Sequence, residues 1–438
     1  MEHRPAEPPG DAPSSPAAGA SGADAGRPTW KIIGPGLVVA ATGVGAADLV
    51  ATLAAGSNYG YGLFWALVLG VILKIVLVEG AGRYTLATGR TIFEGWRALG
   101  RWTVWYFGPY IIIWGFVYGA TAMSTTALPL AALFPAVPLP VFAVGTAVLA
   151  FLLVWFNRYA VFEKITATLV GLMFLIIVGL AIIAVPDVPA MLAGLVPTIP
   201  DGGLFYTLAL AGGVGGTITL AAYGYWLREK GWITPRWMRV MRIDNTMAYV
   251  LIGVFVASMM VVGVEVVSAA GVAVSADSQD LLALDSVLAE RYGRFVGTLF
   301  LWGFFAAAFS SMLGVWNGVS LMFADFWAHS RGKDAEHPDA RLNGKYFRFY
   351  LVWLTFPPML LLVAGRPIFL VLLYGALGSL FMPFLAITLL ALLNSSRFGT
   401  PRRWRNRWHT NAALGLTALL FIVLGVQKLV DTILGAVG

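Results

Sequence analysis

Apolar residues in this chain run together in blocks of roughly 20, the length a helix needs to cross a bilayer. Between the blocks lie short stretches where arginine, lysine, glycine and proline collect. Within a block the apolar character is continuous rather than alternating, so the pattern predicts spanning helices and not the strands of a membrane barrel. Eleven spans are expected, at about 33–56, 60–82, 104–133, 139–156, 160–184, 203–228, 243–267, 295–325, 347–364, 367–394 and 411–434, with Pro129 interrupting the third. Residues 1–29 are rich in Pro, Ala, Gly, Ser and Asp, and read as a disordered tail with no signal-peptide pattern. Residues 30–438 read as a transmembrane domain.

Composition agrees with the pattern. Of 438 residues, 59% are hydrophobic and 12% charged, and the mean hydropathy is +0.79. A soluble domain of this size needs more charge to cover its surface. The net charge of +7 does not signal nucleic acid, because the basic residues gather at span ends. With a cytoplasmic N-terminus, 24 of the 29 Lys and Arg fall inside. That bias predicts a cytoplasmic N-terminus and an outside C-terminus, most simply in the plasma membrane. The outer loop with Asp277, Asp280, Asp285 and Glu290 reads as a solvated loop or a weak cation-attracting vestibule. Cysteine is absent, which excludes disulfides and thiolate chemistry. The histidines, His3, His329, His337 and His409, fall outside the expected spans, so no imidazole site is expected within the membrane. No paired carboxylates, Ser/His/Asp set or zinc motif points to an enzyme, and no cofactor is expected. The partners expected are a small transported substrate and membrane lipid.

Two spans carry glycine clusters. Span one reads Gly43-Val44-Gly45-Ala46-Ala47-Asp48, and span six reads Gly212-Gly213-Val214-Gly215-Gly216-Thr217. Each glycine weakens a helix by about 1 kcal/mol relative to alanine. Close helix packing is one use of such residues. Clusters five spans apart are also the mark of a transporter built from inverted repeats, whose broken helices meet the substrate. Openings are expected near Gly45–Ala47 and Gly213–Gly216. Asp48 is the acid within these regions, and a carboxylate in mid-bilayer faces a polar cavity or a partner. It is the candidate metal ligand, or else a proton carrier or counter-ion to Lys74. Lys74 and Glu79, both in span two, are the coupling candidates; their spacing is poor for a direct helix pair.

The chain resembles the NRAMP family of metal-ion transporters over most of residues 31–395. GPGLVVAATGVGAADLVATLAAG is similar to the family's first helix. In LFWALVLGVILKIVLVEGAGRYTLATGRTIFEGW, Trp65, Arg83, Thr88, Gly89, Arg90 and Glu94 fall where the family has them. Arg158 to Glu163 resembles the family's short turn before span five, and FFAAAFSSM its span-eight pattern. The resemblance implies an all-helical, LeuT-like fold. It would have an inverted repeat of five plus five helices (about 31–184 and 203–394) and an extra helix at 411–434.

The site departs from the family's pattern. Where the family has Asp-Pro-Gly-Asn, this chain has Gly45, Ala46, Ala47 and Asp48. Where it has Met-Pro-His, this chain has Gly216, Thr217 and Ile218. The soft thioether that favours transition metals is missing. Residues 110–128 of the third span hold no acid, and the span-eight glutamine is replaced by Phe309. Gly213 completes the expected substrate-binding set. The losses predict a wider cavity, poorer in ligands, unless aromatics such as Phe309 or Tyr223 fill it. Two readings follow. One is a secondary transporter of a hard or partly hydrated divalent cation. The other carries a small organic solute on the same scaffold.

Overall fold

The computed structural model describes residues 35–156, 159–213, 215–268, 287–333, 337–362 and 367–437. The tail 1–29, Arg158, Asp277, Asp280 and Asp285 lie outside them. Among the described residues, seven helices are long and apolar enough to cross a membrane.

The first expected span is two helices, α1 (Pro35–Gly43) and α2 (Ala46–Tyr59). The second is α3 (Phe64–Thr88), entered through the tight turn Gly60–Leu63. A short amphipathic helix, α4 (Ile92–Leu99), links it to α5 (Arg101–Leu133). Then come α6 (Leu139–Phe156), α7 (Tyr159–Ile183) and the short α8 (Val188–Ala193). Span six is divided between α9 (Leu204–Leu208), continued by a π-helical turn Ala209–Gly213, and α10 (Thr219–Glu229). The rest are α11 (Met238–Val262), α12 (Arg294–Ser330), α13 (Lys345–Thr355), α14 (Met359–Leu362), α15 (Pro367–Asn394) and α16 (Trp408–Val437).

Pro129 does not interrupt its helix, contrary to expectation: α5 runs unbroken past both Pro109 and Pro129. Proline lacks the N–H that would bond the carbonyl four residues earlier. Here hydroxyls line the preceding turns and bond back to the same helix. Thr121 donates to the Val117 carbonyl at 2.9 Å, Thr125 to Thr121 at 2.8 Å and Thr126 to Ala122 at 2.7 Å. Polar groups satisfied within their own helix suit an apolar surround.

The interrupted helices sit at the centre. α1 and α2 pack against α11, α12 and α10. A Cβ at Gly314 of α12 would begin 1.9 Å from the Thr42 methyl, so only glycine lets α1 lie this close. Arg83 ties α3 to the segment before α16, donating to the Trp404 carbonyl at 2.9 Å and to Asn406 Oδ1 at 2.7 Å.

Candidate functional site

The chain opens at Val44–Gly45, slightly ahead of the expected Gly45–Ala47. Ala46 and Ala47 already form the first turn of α2 because Asp48 caps it. The Gly45 N–H donates to Asp48 Oδ2 at 2.8 Å, while the Asp48 N–H donates to the Gly45 carbonyl at 3.0 Å. A carboxylate at a helix N-terminus also meets the positive end of the helix dipole. In span six the expected opening at Gly213–Gly216 is displaced the other way. Gly213 still belongs to the π-helical turn, and the chain leaves it through Gly215 and Gly216, at φ +91° and +90°. Only glycine takes that conformation without strain. The two openings touch: a Cβ at Gly43 would begin 3.0 Å from the Gly215 backbone carbonyl, and one at Gly216 would begin 3.4 Å from the Gly43 Cα.

Beside this crossing lies a narrow cavity of about 20 Å³. Gly45 and Asp48 form one side of it, with Thr42. Tyr118, Thr121, Ala122 and Thr125 of α5 form the second side; Ala308 and Ser311 of α12 and Tyr374 of α15 complete it. Asp48 is 6% exposed. The Tyr118 hydroxyl lies 3.2 Å from Ser311 Oγ, and Ser311 donates to the Thr42 carbonyl at 3.4 Å. Tyr118 is stacked on Trp114, with ring centres 4.7 Å apart, and packs against Tyr374 at 5.1 Å. The widened cavity expected from the lost aspartate and methionine is therefore not found. Tyr118 and Tyr374 fill the space, and Ser311 closes on Gly45, where a Cβ would begin 3.3 Å from its hydroxyl.

The sequence-derived site residues divide. Gly45 and Asp48 line the cavity; Gly213, Gly216 and Thr217 lie in or beside the second opening. The Thr217 hydroxyl is buried with no hydrogen-bond partner among the described residues. Phe309 does not line the cavity: it stacks on Phe305, with centres 5.4 Å apart, and the α12 contribution is Ala308 and Ser311 instead. Tyr223 is engaged elsewhere, donating to Asp244 Oδ2 at 2.8 Å. Glu79 belongs to neither opening and is held by Arg83 at 3.1 Å and Arg242 at 2.9 Å. Lys74 does reach the second opening, donating to the Gly212 carbonyl at 2.8 Å, and it interacts electrostatically with Asp48. Sequence reasoning missed the hydroxyl ring because Ser, Thr and Tyr are common in apolar helices and carry no charge to mark them.

The donors around the cavity are all oxygen: one carboxylate, hydroxyls and carbonyls. Among the described residues, no group of three or more His, Asp or Glu side chains is placed to hold a metal. A cation here must rely on Asp48 and neutral oxygens, a set that suits a hard ion.

A second polar cluster joins the far end of α12 to α4. His329 was expected outside the span, but α12 continues to Ser330, past the expected end at 325, and buries it. Its Nδ1 lies 2.8 Å from Asp325 Oδ1 and its Nε2 3.6 Å from Glu94 Oε1. Tyr225 donates to Asp325 Oδ2 at 2.6 Å. Glu94 also accepts from the Thr91 N–H at 2.7 Å and closes a capping box on α4. Burial alone would raise the Glu94 carboxyl, but His329 and the Thr91 amide outweigh it and hold the group below its usual range. Next to this cluster a cavity of about 420 Å³ lies between α10 and α12, bordered by Arg228, Glu229 and Arg341.

Comparison with known proteins agrees with the architecture. A sequence model described as "Natural resistance-associated macrophage protein-like" matches residues 36–431. The divalent metal cation transporter MntH of Chromohalobacter salexigens is 27% identical over 276 residues, covering 59% of this chain and 63% of that protein. The match thus spans under two thirds of that relative's length, and about a fifth (18% and 20%) of two further curated relatives. A mutant of the Eremococcus coleocola manganese transporter superposes with a TM-score of 0.76 at 18% identity, covering 96% of this chain and 91% of its own. MhsT, solved with L-phenylalanine, gives 0.56 at 13% identity, covering 90% and 97%. At such identities the likeness is one of fold, and the fold is the LeuT-like one with its first and sixth helices interrupted.

Proposed function

The chain belongs to the natural resistance-associated macrophage protein-like (Nramp) family, and from that premise we propose that it is a secondary transporter of a hard divalent cation. One observation carries the reading: the Asp48 carboxylate stands at the opening of span one, in a narrow cavity ringed by hydroxyls. Nothing soft lines that cavity among the described residues, which favours a Mg²⁺-like ion over a transition metal. The relatives named as metal transporters support a metal cargo. A cavity of about 20 Å³ favours an ion over an organic solute.

In this reading the ion meets Asp48, Ser311, Tyr118 and the backbone oxygens freed at the openings. Access alternates as the two repeats, about 31–184 and 203–394, rock around the crossing of Gly43 and Gly215. Residues 30–438 act as a transporter domain of eleven spans, embedded in lipid of the plasma membrane with the N-terminus cytoplasmic. Its work is movement of the ion rather than catalysis.

Uptake into proteoliposomes tests the proposal, with Mg²⁺, Ca²⁺ and Mn²⁺ offered separately. Saturable uptake is expected, with half-saturation at a lower concentration of Mg²⁺ than of Mn²⁺. Half-saturation at a lower concentration of Mn²⁺ would overturn the selectivity, and absence of uptake for all three ions would overturn the cargo.

A further inference from the structure

Lys74 is 1% exposed at mid-length in α3. An ammonium at membrane depth is costly and persists only where carboxylates or backbone carbonyls receive it. Lys74 has both. Asp48 supplies the opposite charge, and the Gly212 carbonyl, 2.8 Å from Nζ, is among its partners. Gly212 lies in the turn Ala209–Gly213, the end of the first half of span six, where a helix presents its unsatisfied carbonyls and the negative end of its dipole. The side chain continues along the opening itself: a Cβ at Gly215 would begin 3.1 Å from Lys74 Cδ and 3.7 Å from Nζ. The Gly215 carbonyl is taken by the Tyr249 hydroxyl at 3.0 Å. In transporters with interrupted helices, freed carbonyls of this kind receive a monovalent cation that moves with the substrate. Here a side-chain ammonium occupies that place.

We propose that Lys74 is a tethered cation: its ammonium fills a monovalent-cation position at the opening of span six, so the protein needs no free Na⁺ or K⁺ there. The proposal deepens the transporter reading and rests on it for meaning, but not on which divalent ion is carried. Removing the side chain should leave a space at the Gly212 carbonyl and the Gly215 backbone that accepts a small monovalent cation.

The test is thermal melting of the full chain in detergent, free of divalent metal, in NaCl, KCl or N-methyl-D-glucamine chloride at equal ionic strength. Lys74→Ala should melt several degrees higher in Na⁺ than in N-methyl-D-glucamine, and the gain should saturate with concentration. The wild type should be indifferent to the cation. Lys74→Met, which fills the volume without charge, should be destabilised with no rescue. A folded Lys74→Ala indifferent to Na⁺ and K⁺ overturns the proposal, as does a wild type that Na⁺ stabilises saturably. Should Lys74→Ala fail to accumulate, Lys74→Ser is read in the same way, and the wild-type measurement still decides. Because no divalent metal is present, these outcomes are separate from any failure of the metal reading.

Discussion

Asp48 serves two masters, the first turn of α2 and the cavity. As a cap it accepts the Gly45 N–H, and as a charge it interacts electrostatically with Lys74. Asp48→Asn keeps the shape and removes the charge. Titration of Mg²⁺ in detergent should show at least a tenfold loss of affinity, which corresponds to about 1.4 kcal/mol. If Asp48 serves only Lys74, affinity stays unchanged and the melting temperature falls instead, since a stranded buried ammonium is destabilising. Gly45 allows the converse change. A side chain there would begin 3.3 Å from Ser311 Oγ and 3.5 Å from Asp48 Oδ2. Gly45→Asp combined with Ser311→Ala should add a second carboxylate without collision. Mn²⁺ affinity should rise about tenfold or more, again about 1.4 kcal/mol, while the metal-free protein melts lower because two acids repel. Asp48 was legible in the sequence because a carboxylate in an apolar run is conspicuous. Tyr118, Tyr374 and Ser311 were not, since neutral hydroxyls on three separate spans carry no charge to mark them.

Among the elements, the openings of spans one and six depend on glycine in different ways from the other helices. Gly216 holds φ +90°, and a Cβ there would begin 2.8 Å from Thr219 Oγ1. Gly145 in α6 has nothing within 4 Å of a Cβ. Gly216→Ala should therefore cost about 1–2 kcal/mol from the left-handed backbone alone. Gly145→Ala should be neutral or stabilise by up to about 1 kcal/mol. Equal melting temperatures for the two variants would refute the distinction. The α4–α12 junction responds to pH through Glu94. Its carboxyl is held low in the fold, so its ion pair contributes stability above the ordinary carboxylate range, about pH 4. That contribution is lost as pH falls through the lowered value. Glu94→Gln should melt below wild type at pH 7, and the gap should close in acid. A gap constant from pH 7 down to pH 3 would contradict this. The glycine clusters announced where helices weaken, but the residues that open were fixed by other contacts: the Asp48 cap three residues from Gly45 in one case, and Lys74 and Tyr249, distant in sequence, in the other. Falling hydropathy past residue 325 likewise does not mark the end of α12, which continues to Ser330 with the His329 imidazole between Asp325 and Glu94.

At the scale of the whole molecule, the all-helical membrane class was legible because continuous apolar blocks of spanning length leave few alternatives, whereas the LeuT-like arrangement was legible only through the family resemblance. The orientation can be read directly: an N-terminal epitope on spheroplasts should resist added protease until the membrane is permeabilised, while a C-terminal one should be cut at once. The reverse pattern would invert the topology. The size of the central cavity was not legible, since it depends on how tyrosines from α5 and α15 meet across the bundle. Its volume of about 20 Å³ matches the space of roughly one water molecule. An ion enclosed there has surrendered nearly all its hydration shell, and small divalent ions give up water reluctantly. Preference and speed then come apart. The oxygen ring selects by binding strength, whereas the clock of each cycle is set by how quickly an ion sheds its water, so a larger divalent ion held more weakly can still be carried faster than Mg²⁺.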